Sequence, residues 1–290
     1  MGPHLNAAKR FFPGPTRGLL EGGRYALLHT RTMEFDDLRP YVTGDEIRDI
    51  DWKASARAGT VLIRRYISEK HHKILMIADA GRNMSALTPS GEVKRDVAAH
   101  VLGAFGLITL GRADEVAMVY GDERGSVRVG ARRGENHIEA LLHRFYTHTL
   151  TAPGCSDICT QLQYAATHYR RRMLLIVVSD EPDIDAPLTR VLEQLGERHE
   201  LLWVLITDMP AVGSAAGEPD GYDVVTGAHV LNGATLGPRI VEAYRRREAQ
   251  RSAALTDFLT VRRISFTRIA ASGDIHARLR ALTADYAHAG

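Results

Sequence analysis

Three short stretches of this chain concentrate oxygen ligands. Asp79-Ala80-Gly81-Arg82-Asn83 follows an apolar run, Ser156-Asp157 opens a later helical pattern, and Ser179-Asp180 follows a second apolar run. Hard divalent cations such as Mg²⁺ take octahedral oxygen ligands and usually keep several waters, so Asp79, Asn83, Ser156 and Asp180 form the candidate metal set. A loop site with few protein ligands leaves a coordination position open, and a carboxylate of another protein can fill it. Two plainer roles compete. Aspartates at such positions cap helices or accept backbone N–H groups, and the Arg82 guanidinium can neutralise Asp79 or Asp180 in place of a cation.

A second constellation lies upstream, where Arg39, Tyr41, Asp45, Arg48, Asp49, Asp51, Trp52 and Arg57 crowd into one irregular segment. Opposite charges at this spacing neutralise one another before they attract a partner, which suits an ion-pair network pinning the segment to the main domain. The alternative is a docking surface, with Trp52 as an anchor; a core plug would use the same residue. His71 and His72 have no second ligand at metal-binding spacing and are expected to face solvent. Cys155 and Cys159, one helical turn apart, make neither a disulfide framework nor a zinc motif; they read as buried packing residues of a protein in a reducing cytoplasm. The runs Arg170–Arg172 and Arg245–Arg247 read as solvated helix faces.

The elements that must position these residues follow from periodicity. Residues 73–79, 173–178 and 200–207 are short apolar runs, ending at or followed by Asp79, Asp180 and Asp208, and they alternate with helical patterns at 92–110, 135–146, 157–169 and 187–198. Apolar residues at every position, rather than at every second one, indicate strands covered on both faces. Residues 114–120 and 126–129 read as two strands joined by the turn Gly121–Gly125, and residues 61–67 as an extended strand. A glycine-rich loop near 213–221 precedes a long helix at 239–259, a strand at 261–269 and a last helix at 274–286. The expected fold class is α/β, a doubly wound and mainly parallel sheet with helices on both faces, preceded by an irregular or β accessory segment. Residues 1–70 are expected to form an N-terminal arm (1–16) plus the charged segment, and residues 71–290 the main domain. In such sheets ligands bind beyond the carboxyl ends of the strands, which is where Asp79 and Asp180 stand.

Composition narrows the function. An apolar fraction of 44% and a charged fraction of 25% over 290 residues are ordinary globular values. The 37 basic and 35 acidic residues nearly balance, so no global field recruits nucleic acid or anionic lipid. The longest apolar run is far below the roughly 18–20 residues that span a bilayer, and the N-terminus, with Pro3, Pro13 and Pro15, lacks an apolar signal segment. A cytoplasmic protein, peripheral to a membrane through partners if at all, is expected. The phosphate-binding, zinc-protease, nucleophile-elbow and dinucleotide signatures are all missing, which argues against those enzyme classes.

The stretch from Glu34 to Arg57, EFDDLRPYVTGDEIRDIDWKASAR, resembles the hallmark of the bacterial family called domain of unknown function 58. The likeness continues through Arg64–Glu69, the strand ending at Asp79 and the helix carrying Lys94, Asp96 and Ala98. The resemblance implies a von Willebrand factor A-like fold and a pairing with a MoxR-type AAA+ ATPase. In the wider fold the metal-ion-dependent adhesion site reads D-x-S-x-S, then a threonine, then an aspartate. By that resemblance Asp79 is the first aspartate, Gly81 and Asn83 stand for the serines, Ser156 for the threonine and Asp180 for the last aspartate. The implied role is a non-enzymatic adaptor acting with the ATPase or its client, through a degenerate adhesion site, the charged segment or both, with Mg²⁺ as the one candidate cofactor. A metal-dependent hydrolase built on Asp79 and Asp180 and a structural subunit with a vestigial site are the alternatives.

Overall fold

A computed structural model describes residues 1–14, 20, 30–42, 45–151, 153–211, 221–224, 226–231 and 233–288. In chain order the elements are α1 (Pro3–Phe11), β1 (Thr30–Pro40), α2 (Trp52–Ala58), β2 (Leu62–His71), β3 (Lys73–Asp79), α3 (Lys94–Leu110), β4 (Glu115–Asp122), β5 (Gly125–Arg132), α4 (Glu135–Leu150), α5 (Ile158–His168), β6 (Leu174–Ser179), α6 (Ala186–Gly196), β7 (Glu200–Ile206), β8 (Gly221–Tyr222), β9 (His229–Val230), α7 (Gly233–Leu236), α8 (Pro238–Val261), β10 (Ser265–Ile269) and α9 (Ile275–His288). Among the described residues no helix is long and apolar enough to cross a membrane. The expected glycine-rich loop near 213–221 lies, except for Gly221, outside the described residues.

The larger unit, Met1–Leu28 with Lys73–Gly290, is built on a six-stranded sheet of order β10-β7-β6-β3-β4-β5. All neighbours pair in parallel except β4 and β5, which form a hairpin. The expected α/β class with helices on both faces is therefore the class observed. Side chains alternate between the faces: Ile74, Met76 and Ala78 enter one apolar cluster and Leu75 and Ile77 the other, and β6 and β7 divide in the same way. Two buried faces are why these strands are apolar at every position. The chain starts in the middle at β3, moves outward to β4 and β5, then crosses back to place β6 on the other side of β3. That reversal opens a crevice between the carboxyl ends of β3 and β6.

The expected arm at residues 1–16 is in part a helix. Leu5, Ala8 and Phe12 recur at helical spacing and are all buried, Leu5 and Phe12 in the cluster that contains α3 and α4. The backbone N–H groups of His4 and Leu5, unsatisfied at a helix start, both donate to the Glu139 carboxylate at 2.9 Å. Gly103 lets α1 approach, since a Cβ there would stand 2.5 Å from Ala8 Cβ. The division at residue 70 is corrected accordingly: the N-terminal segment belongs to the main unit, and the separate unit is His29–His72.

That smaller unit is the antiparallel pair β1–β2 with α2 and a 3-10 turn at Ile47–Asp49. His72, expected to face solvent, is buried, because a single residue separates β2 from β3 and no loop carries it outward.

If α1 is part of the core, Leu5→Ala lowers the unfolding free energy by about 3 kcal/mol, as for a fully buried leucine. Denaturant unfolding measures this; a loss under about 1 kcal/mol would return α1 to the status of an arm.

Candidate functional site

The crevice beside β3 is lined by the ends of three neighbouring elements. Asp79, last residue of β3, is 1% exposed. Its Oδ1 accepts the Gly81 N–H at 2.8 Å, while Oδ2 is buried and has no hydrogen-bond partner among the described residues. Burial, and after it the charge of Asp180, pushes the Asp79 carboxyl up to about 7, against the Gly81 N–H, the Ser156 hydroxyl and Lys94, which pull the other way. Across the crevice Asp180, which follows β6, accepts the Asn83 side-chain amide at 2.7 Å on Oδ2. The carbonyl oxygen of that amide is a second buried acceptor with no partner among the described residues.

A lysine completes the set. Lys94 opens α3, and its fully buried ammonium lies 3.6 Å from Asp180 Oδ2 and 2.5 Å from Asp208 Oδ1. Asp208 follows β7, and its side chain is half-exposed. Burial pushes its carboxyl up, while Lys94 pulls it down. The carboxylates that end three adjacent stretches of chain thus converge on one ammonium or on its immediate neighbour.

Ser156 arrives on the loop before α5, and that loop is held from the β4–β5 hairpin. Asp122, buried at the end of β4, accepts the backbone N–H of Gly154 at 2.8 Å and of Arg124 at 2.9 Å, and the Arg124 guanidinium at 2.7 Å. Arg124 and these N–H donors hold the Asp122 carboxyl well below the usual carboxylate range. Glu123 accepts the Cys155 N–H at 2.9 Å, and Gly154 O accepts the Arg82 N–H at 2.8 Å. Ser156 Oγ in turn accepts the Asn83 N–H at 3.2 Å. The approach is so close that a Cβ on Gly81 would stand 2.4 Å from Ser156 Cα and 2.7 Å from Ser156 Oγ.

In the smaller unit the charged segment satisfies itself locally. Arg39 grips Asp45 with two bonds of 2.8 and 2.7 Å, and Asp45 also caps the Val42 N–H. The pair raises the Arg39 pKa and lowers that of Asp45. Arg48 pairs with Glu46. Asp51 caps α2, accepting from Lys53 N at 3.1 Å and Ala54 N at 2.9 Å, and Tyr41 N donates to Val61 O at 2.9 Å. Asp49 is half-buried and Arg57 exposed. Among the described residues these contacts are local pairs and caps. Trp52 is 65% exposed and plugs no core; as the first residue of α2, beside its capping aspartate, it is carried outward.

A family model described as protein of unknown function DUF58 matches residues 37–217. The chain belongs to the DUF58 family. Similar curated proteins include the uncharacterized proteins Mb1516 of Mycobacterium bovis and Rv1480 of Mycobacterium tuberculosis, each 25% identical over 204 residues. The match takes in 68% of this chain and 63% of each relative, so the chain spans less than two thirds of their length. Among solved structures it is similar to a von Willebrand factor type A protein from Catenulispora acidiphila, at 16% identity over 78% of this chain and 44% of that one, with a TM-score of 0.43. The SpRpn10 VWA domain is similar at 11% identity over 48% of this chain and 77% of that domain, with a TM-score of 0.35.

In this DUF58 chain Asp79, Asn83, Ser156 and Asp180 do come together, joined through Asn83. Arg82 does not join them: among the described residues no ion pair links it to Asp79 or Asp180. It is exposed at the start of a 3-10 turn (Arg82–Ser85), and the cation at Asp180 is Lys94. Asp122, which places Ser156, was also missed; its position at the end of a strand, before a glycine turn, was the available signal. Cys155 and Cys159 are half-buried free thiols rather than buried ones. Glu123 first, and for Cys159 burial, pushes their pKa values up, away from a reactive thiolate.

The residues present do not fit a divalent cation. Gly81 offers no hydroxyl and has no room for one, Asp180 Oδ2 already holds an amide and faces an ammonium, and among the described residues no group of three His, Cys, Asp or Glu converges as a ligand set. The lone acceptors Asp79 Oδ2 and Asn83 Oδ1 are the contrary feature, and a proton on Asp79 turns one of them into a donor.

That proton gives a signed pH dependence. An unfolded aspartate titrates near about 3.9, so a native value raised to about 7 means that stability falls as pH rises through this window and stays low above it. Asp79→Asn keeps a carbonyl for the Gly81 N–H and removes the charge. Thermal melts from pH 4 to pH 8 are expected to show the variant gaining on wild type as pH rises; a pH-independent difference would contradict the assignment.

Proposed function

We propose that this DUF58 protein is a non-enzymatic adaptor that docks a partner protein through the charged segment of its smaller unit, while the oxygen cluster of the larger unit serves as structure. The observation that carries this reading is the exposure of apolar side chains within that segment, Val42 at 60%, Ile47 at 68% and Trp52 at 65%, and of Val61 just after it at 44%. A two-stranded antiparallel pair has little core of its own, and large apolar groups left in water beside satisfied ion pairs are the composition of an interface centre with a polar rim. Tryptophan anchors are the residues whose truncation costs most at interfaces.

The partner that suits this reading is the MoxR-type AAA+ ATPase implied by the family resemblance, or a client of that ATPase. The ATPase supplies nucleotide hydrolysis, for which this chain carries no signature motif. The adaptor reading requires no cofactor of its own.

Calorimetry against a MoxR-type AAA+ ATPase of the same genome tests it. Trp52→Ala is expected to weaken binding at least about tenfold, in line with an interface anchor, and to leave the melting temperature within about 1 °C, because the side chain covers no core. Equal affinity of wild type and variant, or no binding by wild type with or without nucleotide, would overturn the proposal.

A further inference from the structure

We propose that the Lys94 ammonium is the resident cation of the crevice between β3 and β6, standing in for the divalent ion of an adhesion-type site, so that this crevice operates without metal. The positive charge is supplied from inside the fold. Lys94 reaches the crevice from the first turn of α3, is 0% exposed, and sits 3.6 Å from Asp180 Oδ2, the same oxygen that accepts the Asn83 amide at 2.7 Å. An ion seeking that carboxylate would have to displace the amide and then share the oxygen with a fixed like charge.

The opposite wall is closed as well. The position of a second ligand, Gly81, is packed against the Ser156 backbone at a distance that admits no side chain. The loop that brings Ser156 there is fixed by Asp122 and Glu123 through the Gly154 and Cys155 N–H groups. What remains of an oxygen site is the pair of lone acceptors, Asp79 Oδ2 and Asn83 Oδ1. Two neutral or half-charged acceptors beside an ammonium hold a hard cation weakly; the same acceptors beside an unpaired Asp180 would hold one better. Lys94 is the one of these obstacles that a single charge-removing substitution lifts, and lifting it should raise the affinity of the crevice for a divalent ion. The claim is independent of the docking surface proposed above, because its readout is metal alone.

The test is titration of the full chain with Mn²⁺ by calorimetry and by electron paramagnetic resonance of the free ion. Wild type is expected to show no saturable uptake up to about 1 mM, the weak end of functional divalent sites. Lys94→Met, which keeps most of the stem and loses the charge, is expected to gain at least about tenfold in Mn²⁺ affinity over wild type, and Asp79→Ala in that background to abolish the gain. Saturable uptake by wild type below about 1 mM that Asp79→Ala abolishes would overturn the proposal, whether or not the Lys94 variant folds. A folded Lys94→Met protein with no gain would overturn it too.

Discussion

An ammonium group with no access to water has to be paired, and in this protein that requirement fixes the geometry around the sheet's switch point. Lys94 begins α3 on one side, while Asp180 and Asp208 follow two neighbouring parallel strands, β6 and β7. Burying the charge costs several kcal/mol unless its partners are held in place. The lysine therefore ties the start of a core helix to the carboxyl ends of two strands, and the register of the loops between them follows. Asn83 extends the tie by donating to Asp180 from the turn after β3.

The rest of the site is built to the same close tolerance. Asp122 is held by a guanidinium and two backbone N–H groups, and through Gly154 it presses the Ser156 loop onto Gly81. Glycine at 81 is thus a consequence of backbone packing as well as the loss of a ligand. A crevice made this way has a rigid floor and an internal charge. In the smaller unit Trp52 and Ile47 are exposed, and they are the groups that the proposed adaptor role would offer to a partner.

How far the sequence discloses this differs from residue to residue. Asp79, Asp180 and Asp208 are legible as markers of strand ends because a doubly covered parallel strand is apolar throughout, so the first charge falls at its end or within two residues after it. The sheet and its class were legible for the same reason. Lys94 was not, because a lysine in a first helical turn has the pattern of a solvated one, and only the burial of α3 on nearly every face removes that option. Arg82 is a candidate counter-ion by its charge alone, and exposure at the start of its 3-10 turn sets it apart from that role. The helix at Pro3–Phe11 is hidden by Pro3, by the nearby Pro13 and Pro15 and by its short length, since its hold comes from Gly103 and Glu139, far along the chain. Trp52 gave no sign of its exposure, which depends on tertiary placement.

The dependence of the crevice on one buried ion pair is most directly tested by a double-mutant cycle on Lys94→Met and Asp180→Asn, read as unfolding free energy in denaturant. Lys94→Met should cost about 3–5 kcal/mol because it strands buried carboxylate charge, Asp180→Asn should cost less because Asp208 still pairs the ammonium at 2.5 Å, and the double variant should recover part of the first loss. Strictly additive losses would mean that Lys94 and Asp180 do not hold each other in place, and the account of the site would fail with them.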